Sequence, residues 1–253
     1  MVLSKPLLHP PLTEVAFEIS FPRQFIVENR IAEFQQALST SYPVSSDEFS
    51  IRMPPAVAFG KPARPGATHF TPVRTFVFTN PLATRTVKVS PVNVTFVVTD
   101  YKDFSDYHAA LLNILEPALR SFEIRRTDRI GLRYVNRIPI PREKGALAFQ
   151  DYVHSPIDLR LFSQGLSGFL IEIHLGSAEE GRRLTMRGGL LPPDDDEVVN
   201  YLLDLDCYAL GPVAIDEKSI STILTDYHDA IEAEFRRLIT EKHWRYMESG
   251  EKS

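Results

Sequence analysis

The chain has 253 residues, a formal net charge of −5, and 43% hydrophobic and 24% charged residues, which is typical of one globular domain. The acidic balance argues against a protein that coats nucleic acid with its whole surface, although it is compatible with a local basic patch. Cys207 is the single cysteine, so no disulfide forms within the chain. No apolar run reaches the roughly 18 residues of a membrane span, and residues 1–11 lack the apolar stretch of a signal peptide. We therefore expect a cytoplasmic protein without membrane segments.

The first half of the chain predicts strand, helix, several strands and a long helix. Residues 13–21 alternate apolar and polar side chains, which predicts a half-buried strand, and residues 28–38 show helical spacing. Two prolines interrupt the run 49–59, which favours an edge or bulged strand. The elements that follow are an antiparallel meander of 74–79, 85–89 and 93–99, and a helix over 103–122.

The second half repeats much of this order. Residues 129–140 alternate most clearly of all, with Arg and Gly on one face and apolar side chains on the other. Residues 146–152 are weakly helical. The remaining elements are strands at 168–175, 182–187 and 201–210, an exposed loop at 188–197 that ends in an acidic run, and a helix at 219–240 capped by Ser219.

Two anchors suggest an internal duplication. Asp106-Tyr107-His108 and Asp226-Tyr227-His228 lie 120 residues apart (226 − 106 = 120), and an offset of 119 aligns Phe21-Pro22-Arg23 with Ile140-Pro141-Arg142. Few residues match, so chance similarity or convergent helix chemistry is the alternative. The pattern predicts half-repeats at 12–123 and 129–246 within one compact domain, 1–253.

The expected fold class is therefore α+β. We expect a curved antiparallel sheet with helices packed on one face, arranged as two pseudo-symmetric halves like the tandem of TATA-binding protein. The likeness concerns architecture alone and implies no function.

The basic face of the strand at 129–140 is the first candidate site. Arg129, Arg133 and Arg137 share this face, and a row of guanidinium groups suits phosphate, carboxylate or nucleic acid. The alternative is a structural role, either as a solvated face or in ion pairs. Asp204 and Asp206 are the candidate ion-pair partners because they also share one strand face.

The apolar face of the same strand carries two polar side chains, Tyr134 and Asn136. A buried Asn without a partner costs about 1–3 kcal/mol, so Asn136 is expected either to line a ligand pocket or to belong to a hydrogen-bonded core network.

Asp204 and Asp206 alone supply only two oxygen ligands, and the seven histidines show no zinc-type spacing. We therefore predict no metal site.

Recognisable catalytic motifs are missing from the sequence. It contains no nucleophile elbow, no Walker A motif and no dinucleotide-binding glycine motif. Glu172 and His174 share a strand face and resemble an acid–base pair, but a structural ion pair is the simpler interpretation. We assign no catalytic residue and no cofactor.

Several motifs resemble a sporadically distributed family of uncharacterised prokaryotic proteins of about 250 residues. The strongest is the core Ile130-Gly131-Leu132-Arg133-Tyr134-Val135-Asn136-Arg137-Ile138. The others are Pro11-Leu12-Thr13-Glu14-Val15, Tyr101, Leu203-Asp204-Leu205-Asp206 and Phe235 in the final helix. The resemblance spans nearly the whole chain. It implies an accessory role in a phage-defence or toxin–antitoxin-like system, and it supplies no catalytic residues.

Three functions follow as hypotheses. The first is a non-enzymatic binding or regulatory protein that contacts a protein partner or forms a homo-oligomer. The second is a nucleic-acid-binding module that uses the face of Arg129, Arg133 and Arg137. The third is an unrecognised metal-dependent enzyme that uses Asp204 and Asp206. The first is favoured by the missing catalytic motifs and by the resemblance.

Overall fold

The fold was analysed in a computed structural model, which describes residues 7–51, 72–143, 146–154, 168–176, 181–191 and 198–250. The strands are β1 (Leu12–Ser20), β2 (Val44–Ile51), β3 (Pro72–Thr79), β4 (Arg85–Ser90), β5 (Asn93–Val98), β6 (Arg126–Glu143), β7 (Ala146–Leu147), β8 (Leu170–Gly176), β9 (Arg182–Leu190) and β10 (Val198–Ala214). The helices are α1 (Ile26–Leu38), α2 (Phe104–Ser121), α3 (Glu217–Leu238) and α4 (Glu241–Ser249). The predicted α+β class is confirmed. In the described ranges no helix combines the length and apolarity needed to cross a bilayer.

Nine strands form one antiparallel sheet in the order β2-β3-β4-β5-β1-β6-β10-β9-β8, and the short β7 pairs with the end of β6. The centre of the sheet is the pair β1–β6, in which Val15 lies opposite Tyr134. Strand β10 pairs with β6 from Val198 opposite Pro141 to Ala214 opposite Arg126. The strand predicted from residues 129–140 is therefore paired on both sides. Strands β2 and β8 end the sheet on the two sides.

Alternation along the strands builds the core. Val15, Phe17 and Ile19 of β1 are fully buried, as the predicted apolar face requires. Helices contribute aromatic side chains to the same core: Phe34 contacts Phe78 and Phe122, with ring centroids 5.7 and 5.0 Å apart. Each side chain of this size contributes about 1.5–3 kcal/mol when it is fully buried.

The C-terminal helices differ from the prediction in one boundary and in one additional helix. Asp216, rather than Ser219, is the N-cap of α3, and its carboxylate accepts hydrogen bonds from the backbone N–H and the hydroxyl of Ser219, both at 2.8 Å. The side chain that accepts hydrogen bonds from the free N–H groups of the first turn belongs to the residue before that turn. Ser219 already lies inside the first turn of α3, so it donates to the cap. Helix α4 was not predicted. It begins at the N-cap Thr240 and buries His243, Trp244 and Met247.

Two segments between these elements also differ. Residues 146–152, predicted as weakly helical, form β7 and a single 3₁₀ turn, Phe149–Asp151. The start of the predicted loop 188–197 belongs to β9, where Gly188 and Gly189 are buried. A Cβ atom at Gly188 would overlap the hydroxyl of Tyr201 on β10, so a larger residue at this position requires the Tyr201 side chain to move. The acidic run and residues 52–59 of the predicted strand 49–59 lie outside the described residues.

Candidate functional site

The basic strand face lies against the aspartates of β10. Arg133 donates from Nε and Nη2 to the two carboxylate oxygens of Asp204, at 2.7 and 3.0 Å. Arg133 lies directly opposite Asp206 in the strand pairing. Asp204 is two residues away on the same face of β10, so it is the diagonal neighbour of Arg133. Asp204 is 2% exposed, while the side chain of Arg133 is 44% exposed. The hydrogen bond to Asp204 raises the pKa of Arg133. The partly exposed guanidinium covers the buried carboxylate and shields it from water.

Arg129 forms a second ion pair, with Asp206, although it lies directly opposite Leu210 in the strand pairing. Its Nη2 donates to both carboxylate oxygens, at 2.7 and 2.8 Å, and its guanidinium lies 4.8 Å from the centre of the Tyr208 ring. Glu18 of β1 is a second acidic neighbour, 3.8 Å from Arg129. Burial raises the pKa of Asp206, although Arg129 acts against this change. Arg129 and Arg133 are thus both held by carboxylates of the chain itself.

The ion-pair network continues to the edge of the sheet. Arg187 of β9 donates to Glu172 at 2.5 Å and to Asp204 at 3.4 Å. Glu172 also lies 2.9 Å from Nε2 of His174, and Nδ1 of His174 is 3.1 Å from the hydroxyl of Thr185. The hydrogen bond from Arg187 lowers the pKa of Glu172. Alternating charges therefore cross β6, β10, β9 and β8, and opposite charges on neighbouring strands stabilise such a sheet face.

Arg137, the third arginine of the row, is exposed. Its backbone N–H donates to the carbonyl of Pro11 at 2.8 Å, which fixes the strand position of this residue. The anion-binding role predicted for this face stays a prediction. On the geometry, an incoming phosphate would have to displace Asp206 from Nη2 of Arg129 or Asp204 from its bidentate contact with Arg133. Bidentate contacts are among the strongest hydrogen bonds that Arg makes.

The opposite face of β6 carries a polar cluster inside the core. The Tyr134 hydroxyl lies 2.9 Å from Nδ1 of His228 on α3 and 3.3 Å from the hydroxyl of Tyr101. Phe104 of α2 stacks on the His228 ring with centroids 4.0 Å apart. Asn136 donates from Nδ2 to the carbonyl of Leu203 at 3.2 Å. Tyr134 and Asn136 therefore have partners within the fold, as a buried polar side chain requires.

Burial changes the pKa values in this cluster. It raises the pKa of Tyr101 to about 12 and that of Tyr134 well above its usual value. It also lowers the pKa of His228, and with the help of Asp229 it raises that of Glu232. All of these changes favour the neutral forms. Tyr101, Tyr134 and His228 are therefore neutral hydrogen-bonding groups at neutral pH.

A second buried histidine, His243 of α4, has no hydrogen-bond partner at either ring nitrogen. It is 3% exposed and lies between the rings of Tyr152 and Tyr246, at 4.9 and 5.8 Å. Burial lowers its pKa to about 4. No sequence pattern distinguishes this residue from the other histidines, because its burial depends on how α4 docks.

The outer strand β8 exposes large apolar side chains. Leu170 is 78% exposed and Leu175 is 41% exposed, while Ile171 and Ile173 are only partly buried. Natural sheets protect their edges with charge, proline or a covering element. Beyond β8 the described part of the chain provides no further strand.

Comparisons with known proteins supply no assignment for any of these features. No family model matches the chain, and no curated protein matches it.

Proposed function

We propose that the protein is a non-enzymatic binding protein, and that it acts as a homodimer joined through the outer edge of β8. The observation that carries the proposal is the apolar row of Ile171, Ile173 and Leu175. These residues point to the core side of the sheet, yet all three keep solvent exposure. A further strand beside β8 would extend the sheet and bury this row.

The sequence of β8 is self-complementary about Ile173. In an antiparallel pair of two β8 strands centred there, Ile171 lies opposite Leu175 of the second copy, and Glu172 lies opposite His174. The two cross-strand pairs are apolar–apolar and acid–histidine, both of which stabilise an antiparallel ladder. A two-fold axis through Ile173 makes the contact isologous, as in most homodimers.

The backbone of β8 supports the same register. The carbonyl of Phe169 accepts a hydrogen bond from the N–H of Leu190 on β9 at 3.2 Å. Because hydrogen-bonding directions alternate along an antiparallel strand, Glu172 and His174 direct their N–H and C=O groups away from β9. A pair centred on Glu172 would place the two copies of Glu172 opposite each other, and a pair centred on His174 would do the same with the two histidines. A pair centred on Ile173 instead places Glu172 opposite His174.

Oligomeric state tests the proposal. We expect the purified chain to have the mass of a dimer in sedimentation equilibrium at micromolar concentration, and Leu175→Lys to have the mass of a monomer. Leu82→Lys is the matched control, because Leu82 is 76% exposed but lies between β3 and β4, away from the edge. A monomeric wild-type chain, or a dimeric Leu175→Lys variant, would refute the proposal.

A nucleic-acid-binding role is the weaker alternative. It requires free guanidinium groups, and Arg129 and Arg133 are engaged with Asp206 and Asp204. Binding of DNA and RNA at several salt concentrations separates the two proposals. A salt-sensitive affinity that falls in an Arg133→Ala, Arg137→Ala variant would favour the nucleic-acid role.

We also propose that the chain arose by duplication of one half-domain. In each half the opening strand lies at the centre of the sheet next to the last strand of that half, as β1 is next to β5 and β6 is next to β10. The strands before the last one then follow outward in reverse order. Helices α2 and α3 come directly after these last strands.

Ion pairs support the same relation. Arg85, the first residue of β4, contacts Asp106 at 2.6 Å, and Arg182, the first residue of β9, contacts Asp226 at 2.5 Å. Both aspartates open the repeated Asp-Tyr-His sequence. The sheet residues that α1, α2 and α3 contact are Phe78, Phe96 and Tyr134. Through the strand pairings they point to one side of the sheet, which supports helices packed on a single face.

The cellular role of the dimer is proposed from the resemblance. It is an accessory component of a phage-defence or toxin–antitoxin-like system in the cytoplasm. Phage plaque counts on the native host with and without the gene test this role. Equal counts for all phages tried, together with normal growth, would contradict it and leave the dimer itself unaffected.

A further inference from the structure

Three potential metal ligands converge on one helix, away from the sheet edge. His228, Asp229 and Glu232 of α3 each direct one ligand atom to a common region, with all three atoms within 4.8 Å of one another. Nε2 of His228 lies 3.9 Å from a carboxylate oxygen of Glu232. This distance is too long for a hydrogen bond. Two atoms that each bind one metal ion at about 2.1 Å can lie up to about 4.2 Å apart, so the spacing of His228 and Glu232 suits a shared ion.

The surroundings of His228 present Nε2 to this region. Its other nitrogen, Nδ1, is 2.9 Å from the hydroxyl of Tyr134, and that hydroxyl has a second partner in Tyr101. Phe104 stacks on the ring and fixes its plane. In the tautomer in which Nδ1 donates to the Tyr134 hydroxyl, Nε2 carries a lone pair, which is the arrangement of metal-binding histidines in proteins.

We propose that His228, Asp229 and Glu232 form a binding site for a divalent transition-metal ion of the zinc class. One imidazole and two carboxylates suit zinc, cobalt or manganese better than calcium, which prefers six or more oxygen ligands. The fourth position is left to water or to a further ligand. The side chains of His228 and Glu232 are 17% and 24% exposed, so an ion can enter from solvent.

The corresponding helix α2 provides an internal comparison. His108 occupies the same place in the repeated Asp-Tyr-His sequence, but Ala109 and Leu112 stand where α3 has Asp229 and Glu232. Nε2 of His108 contacts the hydroxyl of Ser221 at 3.0 Å. The two acidic ligands therefore belong to α3 alone, and the repeated sequence does not by itself account for them.

Zinc titration of chelator-treated protein by calorimetry tests the site, with Co²⁺ absorption as a second readout. We expect one Zn²⁺ per chain, and an affinity at least about tenfold weaker in the Asp229→Asn, Glu232→Gln variant. These substitutions keep the size of both side chains, and thermal unfolding checks that the fold is unchanged. His108→Ala is the control and is expected to bind Zn²⁺ like the wild type.

Two results would overturn the site. One is a wild-type chain that binds no Zn²⁺ at micromolar concentration. The other is equal Zn²⁺ affinity in the wild type and in the Asp229→Asn, Glu232→Gln variant, which would assign the ion to another part of the surface. The proposal is independent of the dimer, because none of the three ligands lies on β8.

Discussion

Protonation of His243 is expected to destabilise the protein in a defined pH range. His243 is 3% exposed, and neither ring nitrogen has a hydrogen-bond partner, so the fold favours the neutral form. In the unfolded chain the ring has its ordinary pKa of 6.5, and burial lowers it to about 4. Between these values the unfolded chain binds a proton that the folded chain does not. Stability is therefore lost as the pH falls from about 6.5 to about 4.

The size of this loss follows from the pKa. Each tenfold change in proton affinity corresponds to about 1.4 kcal/mol, so the fall from 6.5 to about 4 corresponds to about 3 kcal/mol. This is a large part of the roughly 5–15 kcal/mol that stabilises a typical domain. The segment at risk is α4, which is held to the body by the hydrogen bond from Thr240 Oγ1 to the carbonyl of Asp151 and by the stacking of Tyr246 on His9.

Urea unfolding at a series of pH values measures the effect. We compare the wild type with His243→Phe and with His243→Met, whose flexible side chain fills an irregular space. Carboxylates affect all the proteins alike, so the difference in unfolding free energy isolates His243. We expect the wild type to lose about 3 kcal/mol relative to both variants between about pH 6.5 and 4, and exposed His154→Gln to follow the wild type. A difference that stays constant over this range would refute the reasoning.

Two further substitutions test the packing of the sheet. Arg133→Ala leaves the buried Asp204 with Arg187, 3.4 Å away, as its ion-pair partner. We expect this change to lower the free energy of unfolding in urea by about 2 kcal/mol. The loss is smaller than for a fully buried pair because Arg133 is half exposed. Exposed Arg183→Ala is the control, and equal effects of the two would contradict the ion pair. Gly188→Ala brings a methyl group against a buried tyrosine and is expected to cost about 1–3 kcal/mol. Gly168→Ala meets no atom within 4 Å and is expected to change stability little.

Local pattern was sufficient for the central strands and long helices. The alternation in residues 129–138 fixed which side chains of β6 share a face, and the helix predicted over 103–122 begins at the N-cap Asp103. Pattern alone could not say which aspartate meets which arginine. Arg133 contacts Asp204 rather than Asp206, which lies directly opposite, and Arg129 contacts Asp206 rather than its own opposite residue, Leu210. These pairs depend on the register between strands that are far apart in the sequence.

Tertiary packing accounts for the features that the sequence did not predict. Gly188 is a poor strand former, yet it is in β9 because Tyr201 occupies the space of a side chain. Helix α4 is short and gains its stability from docking Trp244 and Met247 rather than from its own propensity. His228 and Glu232 were within reach of sequence analysis, since residues four apart share a helix face. The partner of His228, Tyr134, comes from another element.

Complementation between two single variants of β8 tests the proposed dimer most directly. In the register centred on Ile173, residue 171 of one copy lies opposite residue 175 of the other. Ile171→Glu and Leu175→Lys are therefore each expected to be monomeric, because each places an unpaired charge in the apolar row. An equimolar mixture is expected to form a heterodimer, in which the introduced carboxylate of one variant meets the introduced ammonium group of the other, with the mass of a dimer in sedimentation equilibrium. A mixture that stays monomeric while both variants are folded would contradict the account.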